Sequence, residues 1–390
     1  MKPDLAHAAT SPDWTRRAGA LDQAVDRALA ERRIVGGVVL VSQDGRPVYQ
    51  RAAGLADRDT ARPVRIDTLF RYSSLTKPIV TAAALALVAQ GKLALDQPVS
   101  RWLPDFRPRL AGGETPDISL HQLLTHTAGL TYSFWEAQDS PYHKLGVADG
   151  LGPSGTLSLR ENLRRLAQVP LGFAPGSNWR YSLAIDVVGA LIEQVTGETL
   201  PQAVARLVTA PLGLRDTAFH VVDRERLATA YADARPEPVR MSEPHSLPFG
   251  VAPLTYSPAR AFDPQAFPSG GGGMVGTAPD MLRFLEAVRG GGSPILPAEM
   301  PGLMMRNQTG TLVLDVAGPG KSFGYGGAVV TDPAAAQTPQ SAGTWYWGGV
   351  YGLSWFVDPA QRLIVVIATN TGIEGMIGQF TIDVRDAVYL

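Results

Sequence analysis

The sequence predicts an α/β (α+β) fold in which an antiparallel sheet, flanked by helices from the two ends of the chain, lies beside a mostly helical domain. Two observations indicate it. Each end of the 390-residue chain carries two β-rich runs next to one amphipathic helix, whereas helical spacing dominates the middle. Because sheets and helices must bury their apolar faces together, the two ends most economically form one sheet. The predicted domains are residues 14–76 with about 300–390 for the sheet, and about 77–299 for the helices.

The N-terminal elements follow from spacing and turn residues. Residues 1–13 are expected to form a loose arm. Leu21, Val25 and Leu29 recur at helical intervals and predict an amphipathic helix over 14–33. Two β-rich runs, 36–42 and 47–54, are separated by a short polar segment that includes Asp-Gly, which predicts a hairpin.

The remaining elements are predicted in the same way. Two strands, 343–358 and 362–369, are expected around a turn, followed by a closing helix over about 373–389. The clearer helices of the middle cover 157–167, 185–195, 200–208 and 281–288, the last one capped by Thr277. The stretch 242–273 is rich in Pro and Gly and predicts a long loop. The weakly patterned stretch 131–155 is expected to overhang a pocket, with Tyr132, Phe134 and Trp135 near its start.

The composition excludes several classes of function. A net charge of −1 gives no reason to expect nucleic acid or an anionic membrane as partner, and no apolar run is long enough to span a bilayer. The absence of cysteine excludes disulfides and thiolate chemistry. The six histidines show no ligand spacing, so neither a metal nor another cofactor is expected, and His126 is assigned a capping or core role. No secretory leader is visible at the N-terminus, which favours a cytoplasmic protein, while the oligomeric state stays open.

Ser74 and Lys77 begin a strongly apolar run over 79–89, which predicts a buried helix. Positions i and i+3 lie on one face of a helix, so the hydroxyl and the ammonium are expected to meet near its N-terminus. Backbone N–H groups at that end favour developing negative charge. A nucleophile and a proton carrier would then lie within one turn. The alternative is a helix-capping serine with a lysine that extends to solvent.

Two distant segments carry residues that could complete such a site. Tyr181 lies in a short loop before a predicted helix, and a phenol beside a lysine could accept the proton of Ser74; it could equally be a half-buried core tyrosine. Gly348 and Gly349 within a strand indicate a close backbone approach. The N–H of Val350 could then join the N–H of Ser74 in an oxyanion hole, unless the glycines mark a bulge at a sheet edge.

Five segments in one order carry a family resemblance. They are Ser-x-x-Lys before an apolar helix, Leu-Leu-Thr-His-Thr-Ala-Gly-Leu at 123–130, Pro-Gly-x-x-Trp-x-Tyr-Ser at 175–182, Pro-Leu-Gly-Leu-Arg-Asp-Thr at 211–217 and the glycine-rich run at 269–273. This order resembles the serine β-lactamase and penicillin-binding-protein superfamily, class C branch, and within it the family VIII carboxylesterases. The resemblance covers about residues 20–385. It implies a β-lactamase-like fold with the active site in the cleft between the sheet and the helical domain.

The resemblance also implies roles for individual residues. Ser74 would be the acylated nucleophile, and Lys77 and Tyr181 would share the proton work, with either one as the acylation base. The amides of Ser74 and Val350 would form the oxyanion hole. The residues expected to contact substrate are Trp347, Gly348, Gly349, Tyr132, Phe134 and Trp135.

Two departures from the family pattern bear on the substrate. β-Lactamases normally carry Lys-Thr-Gly where this chain has Trp347-Gly348-Gly349, so the lysine that would hold an anionic substrate is replaced by an apolar ring. The usual Tyr-x-Asn is replaced by Tyr181-Ser182-Leu183. Both changes favour neutral esters, and a serine carboxylesterase acting on short-chain esters is expected. An acyltransferase using the same acyl-enzyme, a β-lactamase and a β-lactam-binding protein without turnover remain the alternatives.

Overall fold

An eight-stranded antiparallel sheet forms the centre of the computed structural model, which describes residues 12–153, 155–221 and 223–390. The strands are β1 (Gly36–Gln43), β2 (Arg46–Asp57), β3 (Arg62–Pro63), β4 (Phe70–Arg71), β5 (Tyr231–Ala232), β6 (Val239–Arg240), β7 (His245–Leu247), β8 (Leu254–Tyr256), β9 (Val275–Gly276), β10 (Lys321–Phe323), β11 (Ala328–Val330), β12 (Trp345–Gly349), β13 (Leu353–Asp358) and β14 (Leu363–Thr369). Their order in the large sheet is β10-β11-β12-β13-β14-β1-β2-β3. The two ends of the chain therefore meet where β1 pairs with β14, with Val39 opposite Ile367.

Helices cover both faces of this sheet and build a second layer. They are α1 (Pro12–Ala30), α2 (Thr76–Ala89), α3 (Leu120–Leu124), α4 (Pro141–Lys144), α5 (Leu159–Leu166), α6 (Ala184–Thr196), α7 (Leu200–Val204), α8 (Ala278–Arg289), α9 (Met300–Met305), α10 (Glu374–Ile377) and α11 (Gln379–Val388). Short 3-10 turns occur at Ser73–Leu75, Val99–Arg101, Ser133–Trp135, Arg224–Arg226 and Pro258–Phe262, and α7 continues into a π-helical turn at Ala205–Thr209.

Strand β1 shows why the sheet is apolar on both sides. Val39 and Val41 belong to the core that packs against α1 and α11, whereas Val38 and Leu40 belong to the larger core on the other face. On that second face α8 contacts β1 and β14. Because side chains alternate between the faces of a strand, a strand covered on both sides is a continuous apolar run, as it is here.

Helix α2 lies at the centre of the helical layer. All its residues from Thr76 to Leu87 are buried, and it packs against α6, α7 and the π-helical turn at Ala205–Thr209. A helix that is apolar on every side must be surrounded by protein, which explains the run that predicted it. Its N-terminal end points to the junction with the sheet, where the 3-10 turn Ser73–Leu75 contacts β12.

The predicted antiparallel sheet with terminal helices is confirmed, and the main differences concern short elements. The segment 343–358 was expected as one strand but forms the β12–β13 hairpin, because the chain turns at 350–352, where Gly352 has a φ of +102°. The expected long loop 242–273 contains the β7–β8 hairpin. Strands β10 and β11 have three residues each and are too short to show an alternating pattern.

Several boundaries also differ from expectation. Helix α1 begins at Pro12, and the rest of the predicted N-terminal arm lies outside the described residues. The closing helix is divided into α10 and α11 at Gly378. The division into two domains stays a prediction; α8, which falls within the predicted helical domain, packs on the sheet. Of the helices in the part of the chain that the structure describes, none is both long and apolar enough to cross a bilayer.

Candidate active site

Ser74 lies in the 3-10 turn that leads into α2, with 8% of its surface exposed. The preceding residue, Ser73, has a φ of +49°, in a region that residues with a side chain rarely adopt. The hydroxyl of Ser73 is buried and bonds to no group in the described segments. Backbone strain of this kind is concentrated at functional sites, and here it lies directly beside the predicted nucleophile.

Lys77 reaches Ser74 from the next turn, as the spacing predicted. Its ammonium donates to Ser74 Oγ over 3.1 Å and to the carbonyl of Gly271 over 2.7 Å. It also lies 4.7 Å from the centre of the Tyr181 ring, a favourable position for a cation above an aromatic face. Lys77 is completely buried, so it does not extend to solvent, and no side-chain bond from Ser74 caps the helix. The capping alternative is therefore excluded.

Tyr181 completes a three-residue cluster with Ser74 and Lys77. The phenol donates to Ser74 Oγ over 2.8 Å and accepts from the indole N–H of Trp347 over 3.2 Å. Its ring lies 5.0 Å from the ring of Trp347 and 4.9 Å from that of His126. The Tyr181 hydroxyl thus connects three separate segments of the chain. They are the turn before α2, the loop before α6 and strand β12.

Strand β12 approaches the nucleophile closely because of its two glycines. A Cβ on Gly349 would lie 2.4 Å from the carbonyl oxygen of Tyr72, and a Cβ on Gly348 would lie 2.6 Å from Met376 Cγ. The predicted close approach is therefore to the protein itself. The glycines do not mark a bulge, since Gly348 and Gly349 pair with Ser354 and Leu353 of β13 in unbroken register. Whether these glycines also contact substrate stays a prediction.

Val350 follows this glycine pair at the start of the β12–β13 turn. Among the described residues, neither its N–H nor that of Ser74 donates to a protein acceptor. The carbonyl of Val350 accepts from the Tyr256 hydroxyl over 3.2 Å, which fixes the peptide on its other side. Both backbone donors are thus available to another molecule, and their pairing as an oxyanion hole at Ser74 stays a prediction.

Tyr132, Phe134 and Trp135, the aromatic residues expected to contact substrate, occupy different depths. The buried Tyr132 ring lies 5.3 Å from that of Tyr181 and stacks on Phe134 at 4.9 Å. Trp135 is half-buried and packs against Phe134 and Phe249. Burial raises the pKa of Tyr132 well above its ordinary value, so this second phenol stays protonated. The contact of these rings with substrate stays a prediction, and Phe249 was not identified from the sequence.

A buried carboxylate holds this aromatic segment in place. Asp149 accepts from the backbone N–H of Ser133 over 3.0 Å and also bonds to the Ser133 hydroxyl. Burial raises the pKa of Asp149 to about 6, while the Ser133 donors lower it. One titratable side chain therefore helps to hold the 3-10 turn Ser133–Trp135.

His126 packs against the Tyr181 ring and is not a proton carrier. It is fully buried, and its Nδ1 accepts from the backbone N–H of Ser182 over 3.3 Å. Burial, with the charge of Lys77, lowers the pKa of His126 well below its ordinary range, so its ring is neutral. The core role expected from the sequence agrees with these contacts.

The glycine run at 270–273 supplies a contact that sequence reasoning did not assign. A Cβ on Gly270 would lie 2.5 Å from the carbonyl oxygen of Ile185, so only glycine lets this loop pass against the start of α6. The next residue, Gly271, offers its carbonyl to Lys77 and its N–H to Asp186. The run was recognised as a motif, but its partner Asp186 gave no signal of its own.

Comparison with known proteins identifies the family of this chain. Residues 21–387 match the family described as Beta-lactamase. The chain belongs to the β-lactamase family. The predicted β-lactamase-like fold is thereby confirmed. Within the described residues, no cluster of three or more histidine or carboxylate side chains is arranged to hold a metal ion.

Several members of the family are close to this chain in sequence or structure. It is 53% identical to Esterase EstB of Burkholderia gladioli over 384 residues, which cover 98% of this chain and 97% of the relative. It superposes with a TM-score of 0.93 on EstCE1, described as a hydrolase with promiscuous acyltransferase activity, at 46% identity over 97% of this chain and 100% of the other. It is 27% identical to Monacolin J acid methylbutanoyltransferase of Aspergillus terreus (strain NIH 2624 / FGSC A1156), over 88% of each chain.

Proposed function

We propose that the protein is a family VIII serine carboxylesterase that works in the cytoplasm and hydrolyses short-chain esters through an acyl-enzyme on Ser74. The observation that carries the proposal is the Ser74 hydroxyl, which lies within hydrogen-bond distance of both the Lys77 ammonium and the Tyr181 phenol. A nucleophile bonded to a proton acceptor that a third group orients is the arrangement that acyl transfer requires. A relative of 53% identity that is named an esterase supports it.

Tyr181 is the acylation base in this proposal. Lys77 acts as a donor, because its ammonium bonds to the Gly271 carbonyl as well as to Ser74. Its positive charge beside the Tyr181 ring stabilises the phenolate, as does the indole N–H of Trp347. Tyr181 reacts as the phenolate, which has already lost its own proton to solvent. The Ser74 oxygen attacks the ester carbonyl carbon as the Ser74 proton passes to the Tyr181 oxygen.

The oxyanion that forms is bound by the free N–H groups of Ser74 and Val350. When the tetrahedral intermediate collapses, the bond from the carbonyl carbon to the alcohol oxygen breaks, and the proton held by Tyr181 passes to the leaving alkoxide. Water then attacks the acyl carbon and gives a proton to Tyr181, which returns it to Ser74 as the acid leaves. The net reaction consumes one ester and one water and yields one acid and one alcohol.

Neutral esters with small acyl groups suit this site. Trp347 occupies the strand position at which related β-lactamases carry a lysine, and it faces Tyr181 with an apolar ring. The Tyr132 ring beside Tyr181 is also uncharged, because burial keeps its phenol protonated. An anionic β-lactam would find no cation on β12, so β-lactam hydrolysis is expected to be slow or absent.

Acyl transfer to an alcohol is the second activity that we propose for the same acyl-enzyme. It is supported by the structural relative EstCE1, whose description includes promiscuous acyltransferase activity. Transfer and hydrolysis differ only in whether an alcohol or water attacks the acyl carbon. The ratio of transfer product to free acid, measured with increasing alcohol concentration, separates the two.

The test is steady-state hydrolysis of p-nitrophenyl acetate by the wild type and by Ser74→Ala, Lys77→Ala and Tyr181→Phe. We expect turnover well beyond one equivalent in the wild type and losses of at least about 10³-fold in each variant. Ser73→Ala is the matched control, because its hydroxyl bonds to nothing in the described residues, and it should stay within about threefold of the wild type. Retained activity in Ser74→Ala would overturn the proposal, and a single burst without turnover would indicate a β-lactam-binding protein.

A further inference from the structure

Asp186 is a fully buried carboxylate in the first turn of α6. Its Oδ1 accepts from the Ser269 hydroxyl over 2.8 Å and from the backbone N–H of Gly271 over 2.9 Å. Its Oδ2 bonds to no group within the segments that the structure describes. A buried carboxylate with one free oxygen is costly unless a positive charge compensates it, so its environment requires an explanation.

That positive charge is Lys77, which the carboxylate reaches through a single residue. Gly271 gives its N–H to Asp186 and its carbonyl to the Lys77 ammonium, over 2.7 Å. A Cβ on Gly271 would lie 3.5 Å from Lys77 Nζ and 3.6 Å from Asp186 Oδ1, so the residue is enclosed by both charges. Lys77 has no direct ion-pair partner among the described residues, and Asp186 is the carboxylate that acts on it at this short range.

We propose that Asp186 is a positioning residue that holds the Gly271 carbonyl on Lys77 and supplies the counter-charge for the Lys77 ammonium. Asp186 touches none of the reacting atoms and acts through Gly271. With Lys77 kept as a donor, the proton of Ser74 passes to Tyr181. The inference rests on the proposed esterase mechanism. It explains why Tyr181, and not Lys77, accepts the Ser74 proton in that mechanism.

Other charged and titratable groups near Asp186 also affect whether its carboxyl group is ionised. Arg260 adds positive charge from the 3-10 turn Pro258–Phe262, whereas Asp149 and the Tyr132 phenol lie nearby on segment 131–155. Burial raises the pKa of Asp186, while the donors Gly271 and Ser269 and the charge of Lys77 lower it. The ionised form therefore depends on the contacts of Asp186 with the glycine loop.

The test compares Asp186→Asn with Ser269→Ala in p-nitrophenyl acetate hydrolysis. Asparagine keeps the shape and an oxygen acceptor for Gly271 but removes the charge, whereas Ser269→Ala removes one hydrogen bond and keeps the charge. For Asp186→Asn we expect kcat to fall about 30-fold with KM within about twofold, because substrate contacts are unchanged. The alkaline limb of its kcat/KM profile should move by about one pH unit to lower pH, since the ammonium has lost its counter-charge. Ser269→Ala should lose less than about threefold in kcat with no shift of the profile.

Three results would overturn the inference. Asparagine mimics the protonated acid, so a wild-type rate and profile in Asp186→Asn would mean that Asp186 carries no charge in the working enzyme. Equal losses in Asp186→Asn and Ser269→Ala with unchanged profiles would mean a merely structural role. Asp186→Ser is the second charge-free variant, to be used if thermal unfolding shows that the asparagine variant does not fold. A wild-type pH profile in Asp186→Ser would also overturn the inference.

The same assays separate this inference from the proposed function. If the wild type does not turn over, or if Ser74→Ala retains activity, the esterase mechanism itself is wrong. If the wild type is active, Ser74→Ala is inactive and both charge-free variants of Asp186 behave like the wild type, only the role of Asp186 is wrong.

Discussion

At the scale of single residues, the Tyr181 phenol is the most strongly constrained group of the site. Its oxygen bonds to Ser74 and to Trp347, and its ring contacts those of His126, Tyr132 and Trp347 at 4.9–5.3 Å. A base held in this way needs no rearrangement before it accepts a proton, and preorganisation of this kind lowers the barrier. In the proposed mechanism Trp347 therefore has a role beyond lining a pocket, because its N–H stabilises the Tyr181 oxygen while that oxygen is negative.

Trp347→Phe tests this role because it removes the indole N–H but keeps an aromatic ring. A hydrogen bond to a charged oxygen contributes about 1.5 kcal/mol or more, so we expect kcat for p-nitrophenyl acetate to fall roughly tenfold. Trp179→Phe is the matched control: its ring also packs on Tyr181, but its N–H has no partner in the described residues. That control should keep kcat within about twofold of the wild type. Equal losses of kcat in the two variants would show that ring packing, not the N–H, matters.

At the scale of secondary structure, the site depends on the contact between strand β12 and the turn Ser73–Leu75. β12 is fixed on its far side by pairing with β13, where Trp347 lies opposite Trp355. The Trp345 and Trp355 rings pack at 4.3 Å, which adds rigidity to this hairpin. The distance between the Val350 N–H and Ser74 is therefore determined by how closely β12 can approach the turn, and Gly349 permits that approach.

Gly349→Ala should move β12 away from the turn, since its new Cβ would lie 2.4 Å from the Tyr72 carbonyl oxygen. We expect kcat to fall about 100-fold, because a displacement of about 1 Å at the reacting atoms has this effect, and the free energy of unfolding to fall by about 1–3 kcal/mol. Gly302→Ala in α9, where a Cβ meets no atom within 4 Å, is the control and should leave both quantities nearly unchanged. Wild-type activity in Gly349→Ala would contradict this account of the glycine pair.

At the scale of the whole molecule, stability is coupled to pH through the partly buried carboxyl group of Asp149. Desolvation raises the pKa of Asp149 to about 6, above the ordinary value near 3.8. Such a group binds more protons in the folded than in the unfolded state between these two pH values. Its contribution to the free energy of unfolding therefore falls as the pH rises from about 4 to above 6 and stays low at higher pH.

Asp149→Asn should remove this dependence at one site. We expect its melting temperature to equal that of the wild type near pH 4 and to exceed it above about pH 7, by a stabilisation of about 1–2 kcal/mol. Glu161→Gln is a control for which the change of stability with pH has the opposite sign, because Arg164 and Arg165 lower the pKa of Glu161 to about 2. That variant should lose stability relative to the wild type as the pH rises from about 2 to about 4.5 and stay less stable at higher pH. A difference between Asp149→Asn and the wild type that does not vary with pH would contradict the prediction.

The local sequence pattern was sufficient to predict elements with a long periodic run. It was also sufficient to predict contacts between residues that are close in the chain. Helix α2 was predicted from an uninterrupted apolar run, and the Ser74–Lys77 contact from the geometry of one helical turn. The glycines of β12 indicated a close approach, but not its partner. Strands β10 and β11 were missed because three residues are too few to establish a period.

The chain alone shows which chemical groups are present, which of them lie within one turn of each other, and that two ends of similar pattern build one sheet. The packing of distant segments brings Tyr181 into a hydrogen bond with Ser74, 107 residues away, and places Gly271 between Asp186 and Lys77. The physical reason is that local spacing follows from backbone geometry, which every helix or strand shares. Contacts between distant segments depend on how complete elements pack, and a single hydrogen bond across such a contact leaves no periodic trace in the chain.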